Sequence, residues 1–479
     1  MRIARSVLPA LCLALTLLAA AIANGFPLIF PDSGTYLGIA FGHEYAIDRS
    51  SFYGLALKPL VNMIPGAGGL WLAIFAQALA IGIVLLAAAR TLVADLPIAR
   101  LALWLVPVTL LTALPWHAGQ FMPDALTGPL ILLTWMAALR DPADNGAATL
   151  WLAASGAALT HYTHLVLLAA VALAVIVARA MIAPGVRAAW RRVVAAMLAA
   201  AMVAGVLIAA NGVAIGRWAV SPTGSLFLFA RLNEDGLIQP WFDRHCGRDA
   251  PAPLCAVRHE IPANSQTLLW GGDASWVTAQ IWQARDEAAR WRWIEMLGEA
   301  NRGAIADQPL RFMATSARGA LRQLVSFAPI DDECPRGCRE YSGGINFTLL
   351  RYRPETVPLL QQSMQVRDTT PKAVLRPMIL AAAWLAMLLL PAGLIVAWRR
   401  RDVAAFTLLV GMATALAANA AMAGALSDVH DRYQSRIAWL VPFALLFLAL
   451  RWRKRAGSEC IRSPRRQYAI RAPSPENGS

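Results

Sequence analysis

Long apolar segments recur along most of this chain and constrain its fold more than any other feature. A helix needs about 20 apolar residues to cross a hydrocarbon layer about 30 Å thick. With 58% hydrophobic and only 15% charged residues among 479, the chain is too apolar for a soluble protein. The pattern predicts an all-α polytopic membrane protein. The candidate segments lie near residues 7–25, 68–89, 101–116, 121–139, 147–180, 193–216, 375–398, 403–426 and 437–450.

The segment 147–180 is too long for one ordinary crossing, because as a single helix it would measure about 50 Å. It is interrupted by THYTH at Thr160–His164. Two helices there would place every arginine cluster on one side, and Lys and Arg concentrate in cytoplasmic loops. The sequence therefore favours about ten crossings with both termini in the cytoplasm. The clusters are Arg2/Arg5, Arg90/Arg100, Arg140, Arg179/Arg187/Arg191/Arg192, Arg399/Arg400/Arg401 and Arg451/Arg453/Lys454/Arg455.

This topology divides the chain into four parts. Residues 1–216 form an N-terminal membrane module of about seven helices, and residues 217–374, hereafter the insert, form a domain outside the cytoplasm. Residues 375–451 form a C-terminal membrane module of about three helices, and residues 452–479 a basic, disordered cytoplasmic tail. Apolar and aromatic residues at helical spacing predict amphipathic helices in the insert. Their Trp-rich faces indicate core packing or contact with the membrane surface.

The net charge and the N-terminal segment each allow two explanations. The net charge of +14 is assigned to cytoplasmic arginines rather than to nucleic-acid binding, because no basic stripe is interleaved with aromatic residues.

The first apolar segment follows a basic MRIAR and contains Ala21-Ile22-Ala23, so it also has features of a cleaved signal peptide. The remaining topology is the same in either case.

Four of the six cysteines lie in the insert, as Cys246 with Cys255 and Cys334 with Cys338. An even number of cysteines in an oxidising compartment indicates disulfides. Pairing within each cluster is the simplest arrangement. A four-cysteine zinc site is the competing interpretation, but these spacings fit the usual zinc knuckles poorly.

Ionisable residues gather on the face opposite the arginine clusters. Such groups at or near membrane depth are costly and usually face a cavity or one another. We therefore expect them to line a common aqueous cavity. All seven histidines map to this face, namely His43, His117, His161, His164, His245, His259 and His430. The charged residues that share it are Asp32, Glu44, Asp48 and Arg49 in the first loop, Asp124 in the second, and Asp428, Asp431, Arg432 and Arg436 in the last.

Purely structural roles also suit these residues individually. Asp32 stands between a proline and Ser-Gly, which favours a turn or a helix N-cap. Asp124 follows a proline at a helix start, where a carboxylate complements the helix dipole. Convergence on one face, more than any one residue, indicates a site. Hydrogen bonds between neighbouring helices would equally suit His161 and His164, and interfacial anchoring would suit Arg432 and Arg436.

Several short motifs resemble the C-type glycosyltransferase superfamily, the clan of the protein O-mannosyltransferases and aminoarabinose transferases. They are PDSGTYLGIA and DRSSFYGLALKP in the first loop, the helix pair around THYTH, and DRYQSRIAWLVP in the last loop. The resemblance covers the membrane part of the chain and does not extend to the insert. Ser50-Ser51 stands where the family often has Pro-Pro, and Asp32 and Asp48 are not adjacent as the acidic pair is in many relatives.

The resemblance implies transfer of a sugar from a polyprenyl-phosphate donor to an acceptor outside the cytoplasm of a bacterial inner membrane. This chemistry needs a base for the acceptor and a cation for the departing phosphate. Asp32 is the first choice of base and Asp48 the second, and a partly dehydrated loop should raise the pKa of the base. The implied substrate-binding residues are Arg432, Arg436 and Arg49 for the phosphate, and Tyr36, His117, Asp124, His161, His164, His430 and Asp431 for the rest of the pocket.

The sequence assigns no definite cofactor and leaves a divalent cation open, for which His117, His161, His164 and Asp124 are the candidate ligands. Three further classes of function remain open: a transporter or flippase of envelope lipids or sugars, an acyl or phospho-group transferase with His117 or His161 as base, and a scaffold. The sequence contains no Walker loop, no His-Glu-x-x-His and no Gly-x-Ser-x-Gly. ATP-driven transport, zincin proteolysis and ordinary serine hydrolysis are therefore disfavoured.

Overall fold

The computed structural model of the protein describes residues 4–42, 45–272, 275–328 and 345–462. These residues form helices and connecting loops, and their one extended pairing is an isolated bridge between Leu28 and Gln120. The helices before the insert are α1 (Ala4–Leu17), α2 (Ala19–Asn24), α3 (Ser33–Gly42), α4 (Phe52–Val61), α5 (Ala67–Leu92), α6 (Ile98–Leu110), α7 (Leu114–Ala118), α8 (Thr127–Leu139), α9 (Asn145–Leu159), α10 (Tyr162–Ile182) and α11 (Val186–Ile215).

The insert and the last membrane module continue this helical pattern. The insert contains α12 (Gly224–Glu234), α13 (Ile238–His245), α14 (Ala252–Ala256), α15 (Ser265–Trp270), α16 (Glu287–Asp307), α17 (Pro309–Val325), α18 (Ile345–Tyr352), α19 (Val357–Gln362) and α20 (Met364–Arg367). The last module contains α21 (Lys372–Arg399), α22 (Val403–Leu426), α23 (Asp431–Ala438) and α24 (Leu440–Arg462). Single turns of 3-10 helix occur at Pro123–Leu126, Arg258–Glu260 and Pro354–Thr356, and a π-helix at Thr278–Trp282.

Six helices in the described part of the chain are long and apolar enough to cross a membrane, by length and composition. They support the expectation of a membrane protein, although six is fewer than the ten crossings expected. The six are Ala67–Leu92, Tyr162–Ile182, Val186–Ile215, Lys372–Arg399, Val403–Leu426 and Asp431–Arg455. Shorter apolar helices lie at Val7–Leu17, Phe52–Val61, Ile98–Leu110 and Pro123–Leu139.

The long segment 147–180 is divided into α9 and α10, which meet at Thr160 and His161. The Asp144 carboxylate caps α9 by accepting the Gly146 N–H at 2.9 Å, and His161 Nδ1 caps α10 by accepting the Thr163 N–H at 3.2 Å. Such caps satisfy backbone N–H groups that have no partner inside a helix. The local sequence at the break therefore favours two helices over one.

One end of the helix bundle, hereafter the basic end, carries interhelical contacts from arginines. Arg192 at the start of α11 donates to the carbonyl of Arg140 at the end of α8 at 3.0 Å. Arg451 on α24 donates to the carbonyl of Leu92 at the end of α5 and pairs with Asp402, at the start of α22, at 2.7 Å. These contacts lie at the arginine-rich ends of the helices, away from the loops that carry Asp32, Asp48 and Asp124.

Asp402→Asn is expected to lower the free energy of unfolding by roughly 3 kcal/mol, since it removes the charge that two arginines share. The Asp402 side chain is 1% exposed and also forms an ion pair with Arg455 at 3.0 Å. Burial raises the pKa of Asp402, but the hydrogen bond from Arg451 and the charges of Arg451 and Arg455 together lower it more, so the pKa is below its ordinary value. The stabilisation is thus fully present at neutral pH and is lost only under strong acid.

Thermal unfolding in detergent measures this effect, with Asp144→Asn as the matched control. Asp144 also caps a helix and pairs with an arginine, Arg140, but it is 52% exposed. Asparagine preserves both caps, so only the ion pairs change. The control should alter stability by less than about 0.5 kcal/mol. Equal losses from the two variants would contradict the structural role given to Asp402.

The insert has a hydrophobic core of its own, built mainly from α12, α13, α15 and α16. A disulfide joins Cys246 to Cys255, which confirms that predicted pair and removes these two sulfurs as zinc ligands. Cys334 and Cys338 lie outside the described residues, as do His43 and Glu44.

Next to the disulfide, His245 bridges Asp249 at 2.7 Å and Asp307 at 2.9 Å. Hydrogen bonds from His245 to these two carboxylates raise its pKa, so protonation strengthens the bridge.

Candidate functional site

Charged residues from four separate segments meet at the opposite end of the bundle, hereafter the site end. Asp32 lies in the turn before α3, and Asp48 and Arg49 lie in the loop before α4. Asp124 lies in the 3-10 turn before α8, and Arg432 and Arg436 lie on α23. The structure thus brings together six residues that the sequence predicted for the site. They form an alternating series in the order Asp48, Arg49, Asp32, Arg432, Asp124 and Arg436.

Arg49 joins the two carboxylates of the first loop region. Its Nη2 lies 2.6 Å from Asp48 Oδ2, and its Nη1 lies 2.9 Å from Asp32 Oδ1. The turn at Asp32 is closed by Ser33, whose hydroxyl accepts the Phe30 N–H at 2.9 Å. The Asp32 carboxylate is therefore available for the arginines. Its side chain is 26% exposed, against 11% for Asp48 and 1% for Asp124, so it is the most accessible of the three.

Arg432 lies between Asp32 and Asp124, at longer distances than those of Arg49 to its two carboxylates. Its Nη1 donates to Asp32 Oδ2 at 3.4 Å, and its Nε lies 3.7 Å from Asp124 Oδ2. This Nε has no hydrogen-bond partner among the described residues. The guanidinium lies 3.9 Å from the centroid of the Phe30 ring, a favourable cation–π arrangement. Arg432 is thus held between two carboxylates and an aromatic ring.

Arg436 is committed to the protein interior instead. Its side chain is 2% exposed, and it pairs with Asp124, which is 1% exposed. Its Nη2 also donates to Asn419 Oδ1 at 2.6 Å, and Asn419 in turn donates to the carbonyl of Tyr433 at 2.6 Å. Like that of Arg432, its Nε has no hydrogen-bond partner among the described residues. A buried ion pair fixes a geometry more than it adds stability. Asp124 and Arg436 therefore support α23, which carries Arg432.

The pKa of Asp32 shifts in the direction opposite to the one expected from the sequence. Burial raises the pKa of this carboxyl, as predicted, but the charges of Arg49 and Arg432 lower it more. The result is a pKa below the ordinary value of 3.8. The expectation of a raised pKa was wrong because it considered dehydration without the two ion pairs. Asp32 is ionised at neutral pH and needs a change in its surroundings to become a strong base.

The histidines at the site end mainly hold helices and side chains in place. His161 caps α10, and His430 caps α23 by accepting the Arg432 N–H at 3.3 Å. His164 is fully buried and bonds to the Thr127 hydroxyl at 2.8 Å and to the carbonyl of Ala157 at 3.0 Å. The bond of His164 to Thr127 on α8 matches the expected hydrogen bonding between neighbouring helices, whereas His161 bonds to Thr163 of its own helix. Among the described residues, His117 hydrogen-bonds through one ring nitrogen, as His161 does.

His117, Tyr36 and Asp431 differ in how closely they approach the charged series. His117 Nε2 lies 3.0 Å from the hydroxyl of Ser435, between the two arginines of α23, while its Nδ1 has no partner among the described residues. The Tyr36 ring is buried, and Arg49 lies 5.6 Å from its centroid. Asp431 is half-buried in the first turn of α23 and forms no ion pair with any arginine that the structure describes. Of these three residues, His117 and Tyr36 therefore border the series.

A metal site receives no support from the geometry of the described residues. They contain no group of three or more His, Cys, Asp or Glu side chains arranged to hold a metal ion. The carboxylate considered as a ligand, Asp124, is already paired with two arginines.

Sequence reasoning missed Asn419 and Phe30. Asn419 is the one polar side chain in the apolar run AANAAMAGAL of α22, and a polar group inside a predicted crossing usually has a partner there. The sequence therefore contained a signal for Asn419. It contained no signal for Phe30, because an aromatic residue beside a predicted turn is unremarkable until Arg432 is placed over its ring.

Comparisons with protein-family models, curated proteins and solved structures find no match for this chain. The assignment of a function therefore depends on the residues and geometry of the site itself.

Proposed function

We propose that this protein is an integral membrane glycosyltransferase that moves a sugar from a polyprenyl-phosphate donor to an acceptor outside the cytoplasm. The observation that carries the proposal is the accessible Asp32 carboxylate held between Arg49, at 2.9 Å, and Arg432, at 3.4 Å. A carboxylate beside two guanidinium groups provides the base and the phosphate-binding cations that this transfer needs. The motif resemblance in the first and last loops supports the same chemistry.

The proposed reaction is a single displacement. Asp32 removes the proton from an acceptor hydroxyl or amine, and the acceptor atom forms a bond to the anomeric carbon of the sugar. The bond between that carbon and the phosphate oxygen breaks, and its electron pair remains on the polyprenyl phosphate. Attack from the side opposite the leaving group inverts the configuration at the anomeric carbon.

The two arginines have different proposed parts in this reaction. Arg432 binds the phosphate, because its side chain is 11% exposed against 2% for Arg436, and guanidinium groups bind phosphate through two parallel hydrogen bonds. Arg49 is held by Asp48 and therefore stays beside Asp32. When the phosphate takes hydrogen bonds from Arg432, Asp32 loses part of the charge that keeps its pKa low. Donor binding thereby makes Asp32 a stronger base at the moment it is needed.

The proposed topology has about ten crossings, with the basic end in the cytoplasm and the site end outside it. Contacts of Arg140, Arg192 and Arg451 at the end opposite Asp32 support this orientation. The insert then lies outside a bacterial inner membrane, where the Cys246–Cys255 disulfide is stable. A phosphatase or fluorescent reporter placed after Gly271 tests the orientation. Activity of the phosphatase supports it, and fluorescence of a cytoplasm-specific reporter contradicts it.

Donor binding is expected to give kcat and kcat/KM different acidic limbs. An acidic limb is the fall of the parameter with decreasing pH, here caused by protonation of Asp32. Only ionised Asp32 can accept a proton, and in the free protein its pKa is below 3.8. Because kcat/KM reports the free protein, it should show no acidic limb from Asp32 above about pH 4. The limb in kcat should lie at higher pH, since the bound phosphate competes for Arg432. Initial rates between pH 4 and 8 should therefore show an acid loss in kcat and none in kcat/KM, and losses in both at the same pH would contradict this coupling.

The function is tested with purified protein, a short-chain polyprenyl-phosphate hexose and extracts containing candidate acceptors. A transferase releases free polyprenyl phosphate and forms a glycosylated product. A transporter or flippase, the competing function, moves the same lipid across proteoliposomes without a new covalent product. Translocation with no bond cleavage would replace the proposal by that function.

A further inference from the structure

The insert contacts the segments that carry Asp32, Asp48 and Arg432. The Thr348 hydroxyl on α18 donates to the carbonyl of Gly34 at 3.1 Å, two residues after Asp32. The Thr223 hydroxyl donates to the carbonyl of Ile47 at 3.4 Å, beside Asp48. The insert therefore borders the site directly, and two buried glutamines extend these contacts.

Gln365 on α20 holds the chain before Asp32. Its Nε2 donates to the carbonyl of Ile29 at 2.6 Å, and its Oε1 accepts the Ile29 N–H at 3.1 Å. Its own backbone N–H donates to Asn24 Oδ1 at 2.7 Å. The side-chain amide thus pairs with Ile29 as a neighbouring strand would. This contact fixes the backbone three residues before Asp32.

Gln323 on α17 makes the same kind of contact before Arg432. Its Oε1 accepts the His430 N–H at 2.8 Å, and its Nε2 donates to the carbonyl of His430 at 2.8 Å. The Gln323 side chain is fully buried. His430 caps α23, so this glutamine fixes the start of the helix that carries Arg432 and Arg436.

We propose that Gln323 and Gln365 are positioning residues through which the insert sets the spacing between Asp32 and Arg432. This inference rests on the proposed function for its catalytic meaning. One glutamine fixes the backbone before the base and the other fixes the backbone before the phosphate-binding arginine. Both belong to the insert, so the insert takes part in the catalytic centre.

Hydrogen exchange of the full-length protein in detergent tests the contacts without reference to activity. The variants are Gln323→Ala, Gln365→Ala and, as a matched control, Gln362→Ala, whose side chain is exposed on α19. Gln323→Ala should accelerate exchange of the His430 amide at least tenfold, and Gln365→Ala should do so for Ile29. The control should leave both amides unchanged. Unchanged exchange in both test variants would overturn the proposal.

Kinetics then separate positioning from a merely structural role. Misplacement of a catalytic group by about 1 Å can lower a rate about 100-fold, so both test variants should lose at least tenfold in kcat. In Gln323→Ala, Arg432 withdraws from Asp32, and the acidic limb of kcat/KM should move to higher pH. Gln323→Met removes both hydrogen bonds but keeps most of the side-chain volume, so it serves if the alanine variant does not fold.

The outcomes are distinguishable from failure of the proposed function. Faster exchange with unaltered kcat and pH dependence would show that the glutamines hold the loops without positioning the reacting groups, and would overturn the inference. Absence of any transferase activity in the unsubstituted protein would instead remove the proposed function. In that case the exchange experiment still decides whether the insert fixes the two loops.

Discussion

Asp32→Asn is expected to lower kcat about 1000-fold, the loss that follows removal of a general base. Asparagine has nearly the same shape but cannot take the proton from an acceptor. Asp32 is 26% exposed, and Arg49 keeps its pairing with Asp48 at 2.6 Å in this variant. The substitution should therefore leave folding intact. Transfer rates with purified protein, together with thermal unfolding, measure the two effects separately.

Asp431→Asn is the control for this experiment, because Asp431 is half-buried at the same end of the bundle and pairs with none of the described arginines. It should retain most of the transfer activity. Equal activity in Asp32→Asn and the unsubstituted protein would show that Asp32 is not the base. An equal loss in both variants would indicate that any change of charge at this end disturbs the site.

Arg432→Ala and Arg436→Ala are expected to fail in different ways. Arg432 is the proposed phosphate ligand, and its loss should lower kcat/KM by roughly 100-fold to 1000-fold, comparable with removal of one strong transition-state donor. Arg436 is 2% exposed and pairs with Asp124, which is 1% exposed. Its removal leaves a buried charge without its main partner and should cost about 3–5 kcal/mol of stability.

Thermal unfolding and kinetics of both variants distinguish these roles. Arg432→Ala should unfold near the temperature of the unsubstituted protein, and Arg432→Lys should recover little activity because lysine lacks the planar fork of arginine. Arg436→Ala combined with Asp124→Asn should regain part of the stability lost in Arg436→Ala. Full activity in Arg432→Ala, or normal stability in Arg436→Ala, would contradict the division of roles between them.

The sequence predicted the membership of the charged series better than its chemistry. Ionisable residues are costly near membrane depth, so a shared topological face was enough to group Asp32, Asp48 and Arg49 with Arg432 and Arg436. The pairings could not be assigned in the same way. Arg432 contacts Asp32 across 400 positions of sequence and Arg436 contacts Asp124 across 312. Spacing along one chain does not determine such distances.

The direction of the Asp32 pKa shift shows the same limit. Burial and opposite charges act in opposite directions, and the sequence contains no measure of the distance to Arg49 or Arg432. The glutamine contacts were equally hidden, because Gln323 and Gln365 lie in a part of the chain that family resemblance did not cover. In contrast, the helix break at His161 was predictable, since the polar residues there interrupt an apolar run and cap the next helix.

The central claim is that Asp32 and its two arginines transfer a sugar from a lipid-phosphate donor. Mass spectrometry of lipid-linked sugars, in cells that lack this protein and carry either the unsubstituted gene or Asp32→Asn, tests that claim most directly. The donor should accumulate in the deletion strain and with Asp32→Asn, and the unsubstituted protein should clear it. Unchanged lipid-linked sugars in the deletion strain, or clearance by Asp32→Asn, would contradict the claim.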